Sequence, residues 1–562
     1  MSVVPVLSAR LTAAAALAFD LPGADPELRA ATKPEFGHFQ TNLALRLAKT
    51  LGTSPRAVAA ELVAHAELDD LCAPAQIAGP GFVNLTLLPS TLAAGVNELP
   101  RSLPTTGRRV VVDYSQPNVA KQMHVGHLRS TVIGDALCNV LRYAGYEVVR
   151  QNHVGDWGTQ FGMMVEQLLD EQTPVESLDL EEMQQLYQRS RKHFDSDPVF
   201  ADRSRRRVVL LQSGDPRTRG IWQQLVDISL AEFDRVYALL GSPLTQADVV
   251  GESAYNDALQ GIVSDLAAAG LLTESGGAQC AFLPGFTGRD GSPLPVIVQK
   301  SDGGFGYSAT DLAAVRHRVR DLKADRIVYV VDHRQSLHFQ QIFALARTAR
   351  WLPETTSAEH VAFGTVLGPD GKPFKTRDGG TVSLVSLLDA AIARAGALLA
   401  DRTGIDRESV ARAVGIGAVK YADLSSDRTN DYVFDLDRMV AMTGNTGPYL
   451  QYAHARLTRL LSKAGHPEGQ VTVLAEPAEQ RLALLLAGFG DAVQQVAETL
   501  QPHRLCTYLY DVASALSAFY ESCPVLPSEG ETRTSRLALC TATRTVLHDG
   551  LALLGITAPD AM

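Results

Sequence analysis

Two histidines, His124 and His127, stand three residues apart with Gly126 between them, and Lys121 lies three residues before the first. Imidazole N–H groups, a glycine that lets the backbone come close and a compact ammonium suit the oxygens of a phosphate chain. Fixed in place beforehand, such donors stabilise the charge of a phosphoryl-transfer transition state, each by roughly 3 kcal/mol. A metal site is the competing reading. The zinc-protease pattern spaces its histidines four apart on a helix, with a glutamate beside the first. Here the spacing is three, a glycine intervenes and no acid adjoins either ring. Phosphate binding is therefore the favoured chemistry, and no zinc is expected. A second stretch, residues 368–381, carries Lys372, Lys375 and Arg377 among several glycines and reads as a mobile, phosphate-friendly loop. Lysine is scarce, 10 against 41 arginines, yet Lys121, Lys372 and Lys375 fall in these two stretches, which hints that an ammonium is wanted there.

These side chains need elements to hold them. The β-branched run 110–112 reads as a buried strand, residues 128–144 as a helix with Ile133, Leu137, Val140 and Leu141 in its apolar stripe, and residues 146–149 as the next strand. In an open α/β sheet, a loop between strand and helix lies at the carboxyl end of the strand, where ligands bind. A helix expected from Tyr307 to Arg320 would set Tyr307 and Asp311 on one face. A strand over 327–331 leads into Asp332, His333, Arg334 and Gln335, and residues 361–367 look hairpin-like. Residues 165–285 read as a mostly helical, charged insertion. The glycines of 152–162 suggest a tight loop close to a ligand or to neighbouring backbone.

Length bounds the rest. A chain of 562 residues suggests roughly three domains. Residues 1–105 alternate helix and strand signals, an α+β module. From about 405 the apolar period is helical throughout, with helices expected over 408–424, 446–461, 479–500, 505–522 and 535–554. A hydrophobic content of 46% with 20% charged residues is that of a soluble globular protein. No apolar run reaches the ~18 residues of a membrane helix, so no membrane role is expected. Residues 1–18 carry Arg10 mid-stretch and read as a core helix, not a signal peptide. Six scattered cysteines with no C-x-x-C pair point to a reducing cytoplasm. The net charge of −11 counts against nucleic-acid binding over the whole surface, leaving local basic faces such as 189–207 as candidates.

The run Pro117-Asn118-Val119-Ala120-Lys121-Gln122-Met123-His124-Val125-Gly126-His127, continued by Leu128-Arg129-Ser130-Thr131, resembles the HIGH-type signature of arginyl-tRNA synthetases, a class I aminoacyl-tRNA synthetase family. Residues 152–162 resemble a loop of the same family, and 445–456 the start of its helical anticodon-binding domain. Residues 368–381 sit where such enzymes carry a KMSKS loop, in degenerate form, so that either Lys372 or Lys375 holds the lysine position. The resemblance implies a Rossmann-like parallel-sheet catalytic domain over 106–404 with its insertion, an N-terminal α+β domain over 1–105 that contacts tRNA, and a C-terminal all-α bundle over 405–562. It implies ATP-dependent attachment of arginine to tRNA by way of arginyl-adenylate, with Mg²⁺ on the leaving pyrophosphate, in a monomer. His124, His127, Lys121 and Lys375 would be catalytic, and Gly126 and Lys372 would join them around ATP. Tyr307 and Asp311 would take the guanidinium, and Asp113, Asn118 and Gln335 the amino-acid end or its neighbourhood. Tyr449, Tyr452 and His454 could face the anticodon. The alternatives are another class I synthetase, an H-x-G-H adenylyltransferase, which the helical C-terminal domain disfavours, and a catalytically idle tRNA-binding relative.

Overall fold

The computed structural model describes residues 3–374 and 382–562. Lys375 and Arg377 lie outside the described residues. A four-stranded parallel sheet forms the centre. Its strands β1 (Arg109–Asp113), β2 (Glu147–Gln151), β3 (Arg326–Asp332) and β4 (Ser357–Phe363) run in the order β4-β3-β1-β2. Side chains alternate across it. Val110, Val112, Val328 and Val330 enter one core with helix α1 (Val125–Tyr143). Val111, Ile327, Tyr329 and Val331 enter a second core with α2 (Tyr307–Arg320) and α3 (Ser336–Thr348). Both faces are covered, so the strands read as continuous apolar runs. Travelling β1-α1-β2 moves to one edge and β3-α3-β4 to the other. Strand order thus reverses between β1 and β3, and the crevice at their carboxyl ends is where an α/β sheet places its ligands.

Four expectations need correction. Helix α1 starts at Val125, ahead of the expected 128, because a side-chain cap extends it toward the histidines. Residues 361–367 form no hairpin. The segment ends β4, and Val366–Leu367 then pairs in parallel with Tyr432–Val433 from the helical region. Gly364 makes this crossing, since a Cβ there would lie 2.7 Å from the Asn430 backbone. That strand pair also interrupts the region expected to be helical throughout. Helix 479–500 is two helices, Pro477–Ala487 and Phe489–Thr499, meeting at Gly488. The insertion is mostly helical, as expected, as far as Ala268. Gly276 and Gly277, at φ 60° and 80°, then turn Thr273–Ser275 back against Ala278–Thr287, which pairs antiparallel with Pro293–Gln299.

The N-terminal region is α+β as expected. Helix Val3–Phe19 buries Leu7, Leu11, Ala14 and Ala15, and Phe82–Leu85 pairs antiparallel with Gln76–Ala78 and Phe39–Thr41. All six cysteines are buried and unpaired.

Candidate active site

The loop from β1 to α1 holds three non-glycine residues in left-handed backbone: Ser115 (φ 74°), Gln116 (φ 53°) and Ala120 (φ 65°). Such conformations cost on the order of 1–3 kcal/mol each and persist only where neighbours hold them. Here the neighbours are specific. Ser115 N donates to Ser130 Oγ at 2.8 Å, and Ser115 Oγ lies 2.8 Å from the Tyr237 hydroxyl. Gln116 N donates to Asn152 Oδ1 at 3.0 Å, and Ala120 N to Ser229 Oγ at 3.1 Å. Ser229 and Tyr237 belong to the long insertion helix Pro216–Leu240.

His124 is the N-cap of α1. Its Nδ1 accepts from Gly126 N at 3.0 Å, while His127 Nδ1 accepts from His124 N, also at 3.0 Å, a reciprocal box. An Nδ1 that accepts a backbone N–H bears no proton. Each neutral ring therefore carries its proton on Nε2. Burial and the charges of Lys121 and Arg334 hold His124 below the usual histidine range, and burial with His124 and Lys121 pushes His127 down to about 3. Two neutral N–H donors, their rings 4.1 Å apart, thus stand at a helix N-terminus whose dipole also favours anions. Lys121 Nζ rests 5.0 Å from the centre of the Tyr187 ring, in a cavity of about 190 Å³ that also takes in His124, Gln184 and Gln188.

Lys372 sits exposed in a tight turn, where Gly368 N donates to Lys372 O at 2.8 Å. Past the residues outside the description, the chain returns beside the first histidine: Ser383 bridges to His124, and Leu384 N donates to Met123 O at 2.9 Å. Both ends of the loop that bears Lys375 are therefore anchored, one of them against His124.

At the other side of the crevice, Asp311 and Tyr307 share a face of α2. Asp311 Oδ2 lies 2.6 Å from His338 Nε2 on α3, and the Tyr307 ring meets His338 edge-on at 4.9 Å while remaining 67% exposed. Gln335 and Asn118 are exposed at the carboxyl ends of β3 and β1. Asp113 is placed differently from the rest. It is 1% exposed and its Oδ2 pairs at 2.6 Å with Arg318, which also lies against the Tyr329 ring. It stands under the crevice and does not line it.

Sequence reasoning missed Glu252. Burial, together with Asp156 and Asp311, pushes its carboxyl up to about 8, so it lies within electrostatic reach of Asp311. No spacing or composition marks it, because it comes from the insertion, 59 residues before Asp311. The loop 152–162 explains its placement. Asp156 accepts from Ser253 N at 2.9 Å and Ser253 Oγ at 2.6 Å, fixing the turn that carries Glu252. A Cβ at Gly155 would stand 2.4 Å from Asn118 Oδ1, so this loop also packs directly on the motif loop.

Far from the crevice, Tyr449, Tyr452, Arg456 and Tyr520 line a small cavity in the helical region, with Arg456 4.0 Å above the Tyr520 ring. His454 is buried, and its Nδ1 meets Pro559 O at 3.1 Å, so it packs inside. The arginine-rich face 189–207 is largely neutralised: Arg189, Arg191, Arg203, Arg206 and Arg207 each pair with a carboxylate. Among the described residues, no cluster of three or more His, Cys, Asp or Glu could hold a metal ion, and no helix is long and apolar enough to cross a membrane.

Comparison with known proteins agrees with this geometry. Residues 89–436 match the profile of the class I (R) tRNA synthetase catalytic domain, 450–562 that of the DALR anticodon binding domain, and 6–87 that of the arginyl tRNA synthetase N-terminal domain. The chain is 55% identical to the arginine–tRNA ligase of Cutibacterium acnes over 96% of its own length and 97% of the relative's. It is 50% identical to that of Thermobifida fusca, over 99% of both. The arginyl-tRNA synthetase structure from Plasmodium falciparum superposes with a TM-score of 0.86 at 28% identity, covering 100% of this chain and 99% of that one. The Thermus thermophilus enzyme gives 0.84 at 26%, covering 99% and 100%. With the strand-order reversal, the histidine pair and all three regions matched along its length, the chain belongs to the arginyl-tRNA synthetase family of class I aminoacyl-tRNA synthetases.

Proposed function

We infer that this chain is an arginine–tRNA ligase that joins L-arginine to its tRNA at the expense of ATP. The observation that carries the chemistry is the reciprocal box that keeps both His124 and His127 neutral with the proton on Nε2. The arginine carboxylate attacks the α-phosphorus of ATP, and the bond to pyrophosphate breaks, leaving arginyl-adenylate. The 2′-hydroxyl of the terminal adenosine then attacks the activated carbonyl and AMP departs. Negative charge grows on phosphate oxygens in the first step. His124, His127, Lys121 and a lysine of the 368–381 loop meet it with donors already in place. Gly126 keeps the helix N-terminus open to the nucleotide.

Asp311 and Glu252 supply carboxylates to a permanently charged guanidinium, with Tyr307 at the mouth. A guanidinium entering beside Glu252 favours its ionised form, so the acid that is protonated in the empty pocket becomes a partner in the filled one. Asn118 and Gln335 take the amino-acid end, while Asp113 acts from below through Arg318. Mg²⁺ would enter on the phosphates of ATP, as part of that substrate. The N-terminal region and the Tyr449–Tyr452–Arg456–Tyr520 cavity contact tRNA, the latter by stacking on unstacked bases. We place the domain boundaries near 105 and 404, and take the enzyme to be a cytoplasmic monomer.

Charging of tRNA with a panel of radiolabelled amino acids tests the reading. Arginine alone should be attached, and arginine-dependent ATP–pyrophosphate exchange should stay negligible until tRNA is added. Attachment of another amino acid, or none, overturns it.

A further inference from the structure

Asp311 has a partner that the reading above leaves unused. His338 sets Nε2 2.6 Å from Asp311 Oδ2, and the two side chains are only 15% and 14% exposed. The ring is held from two sides, by Tyr307 at 4.9 Å and Phe339 at 5.3 Å. What this contact does depends on its proton. A neutral imidazole donates from Nε2 to Oδ2 and leaves Asp311 a full negative charge and its second oxygen. An imidazolium cancels that charge, and a guanidinium entering then meets a neutral pair with a cation inside it. The titratable groups around the pair are Tyr307 on α2, Glu252 and Tyr255 on the insertion, Tyr329 on β3 and His360 on β4.

We propose that His338 is a positioning residue that sets specificity for a cationic substrate: neutral, it aims Asp311 at the guanidinium, and protonated, it disables the site, so that arginine binding expels the imidazole proton. This rests on Asp311 as the guanidinium partner. The coupling also tells arginine from its uncharged analogue citrulline, since only a cation benefits from the unmasked carboxylate.

The test is the pH profile of the arginine KM in tRNA charging, from about pH 5.5 to 7.5, the range over which a histidine changes charge. KM should fall as pH rises, and the slope counts the protons released on binding. His338→Gln places an amide N–H near the position of Nε2–H but does not titrate. Its slope should be shallower by about one proton, with a KM near the wild-type value at the alkaline end. His338→Leu removes the donor and should raise the arginine KM about tenfold or more at the alkaline end, the order expected for a lost hydrogen bond to a charged group. The ATP KM should hardly move in either variant. Equal slopes for the wild type and His338→Gln overturn the proposal, as does a His338→Gln enzyme no better than His338→Leu. Asp311→Asn separates the two levels: if it leaves the arginine KM unchanged, the pocket reading itself fails. If Asp311→Asn is impaired while the His338→Gln profile matches the wild type, only the role of His338 fails.

Discussion

His124 does two jobs with two atoms, and a pair of substitutions can separate them. Nδ1 caps α1 by accepting from Gly126 N, which leaves the proton on Nε2 for the proposed nucleotide contact. Asparagine places an oxygen where Nδ1 was and is itself a favoured N-cap. His124→Asn should therefore keep the helix start and lose only the Nε2 donor. Losing one preorganised donor costs about 2.7–4 kcal/mol of transition-state stabilisation, a 10²- to 10³-fold fall in rate. His124→Ala loses the cap as well, a further cost of about 1 kcal/mol in stability. For His127, which accepts from His124 N at 3.0 Å, glutamine is the matching change, because the third helical position of a capping box takes Gln or Glu. The assay is arginine-dependent pyrophosphate exchange with tRNA present, beside thermal melts of the same variants. All three enzymes should be slowed about 100-fold or more, with arginine KM little changed, because the donors act mainly on charge that develops in the transition state. Only His124→Ala should melt earlier. A His124→Asn enzyme at near wild-type rate, or one as destabilised as His124→Ala, would refute the division of labour between the two ring nitrogens.

The lysines give a second experiment: Lys121→Ala and Lys375→Ala should each slow activation about 100-fold and Lys372→Ala much less, since Lys372 is held exposed in its turn; exchange rates with the reverse order of the loop lysines refute that register. The buried pair Arg129–Asp423, 3.2 Å apart and fully shielded, ties α1 to the helix Arg407–Leu424. Removing either partner alone should cost about 3–5 kcal/mol, whereas Arg129→Met with Asp423→Met should be far milder than the sum in denaturant titrations. The pH dependence of stability follows from His127, whose folded value of about 3 lies below the 6.5 of the unfolded chain. Its neutral ring contributes nothing above 6.5. As pH falls through that value, the unfolded state takes up a proton that the folded state refuses, at about 1.4 kcal/mol per unit. Melts of His127→Gln should fall less steeply between about pH 6.5 and 5 than those of the wild type; parallel curves count against it.

What the sequence revealed and what it hid divide along physical lines. The strands at 110–112 and 327–331 and the helix at 307–320 declared themselves through apolar period and turn residues, which act over a few positions. The histidine spacing is a signal of the same local kind. The failures are long-range. Residues 361–367 look like a hairpin because the parallel partner, Tyr432–Val433, is 66 residues away in the chain. Glu252 is silent because only folding brings it to Asp311. Asp113 matched a site position by resemblance, yet its burial depends on Arg318, 205 residues on. The arginine-rich face looks basic because three of its carboxylate partners, Glu166, Asp170 and Glu171, lie outside residues 189–207.

The insertion is the element whose importance changes most. As a sequence it is an interruption between two halves of a sheet. In the structure, its helix Pro216–Leu240 supplies the Ser229 and Tyr237 hydroxyls that hold the left-handed residues of the motif loop. The turn after it carries Glu252 within electrostatic reach of Asp311. Three strained residues carry on the order of 3–9 kcal/mol together, more than β1 and α1 could impose through the Ser130 bond alone. The strain has a consequence for the chemistry: it turns the chain tightly enough that Asn118 meets Gly155 and Lys121 faces the insertion, while His124 still arrives in the extended backbone of an N-cap, at φ −126°. The insertion is thus the clamp on the motif loop, and the proposed phosphate site and the proposed arginine site rest on the same support.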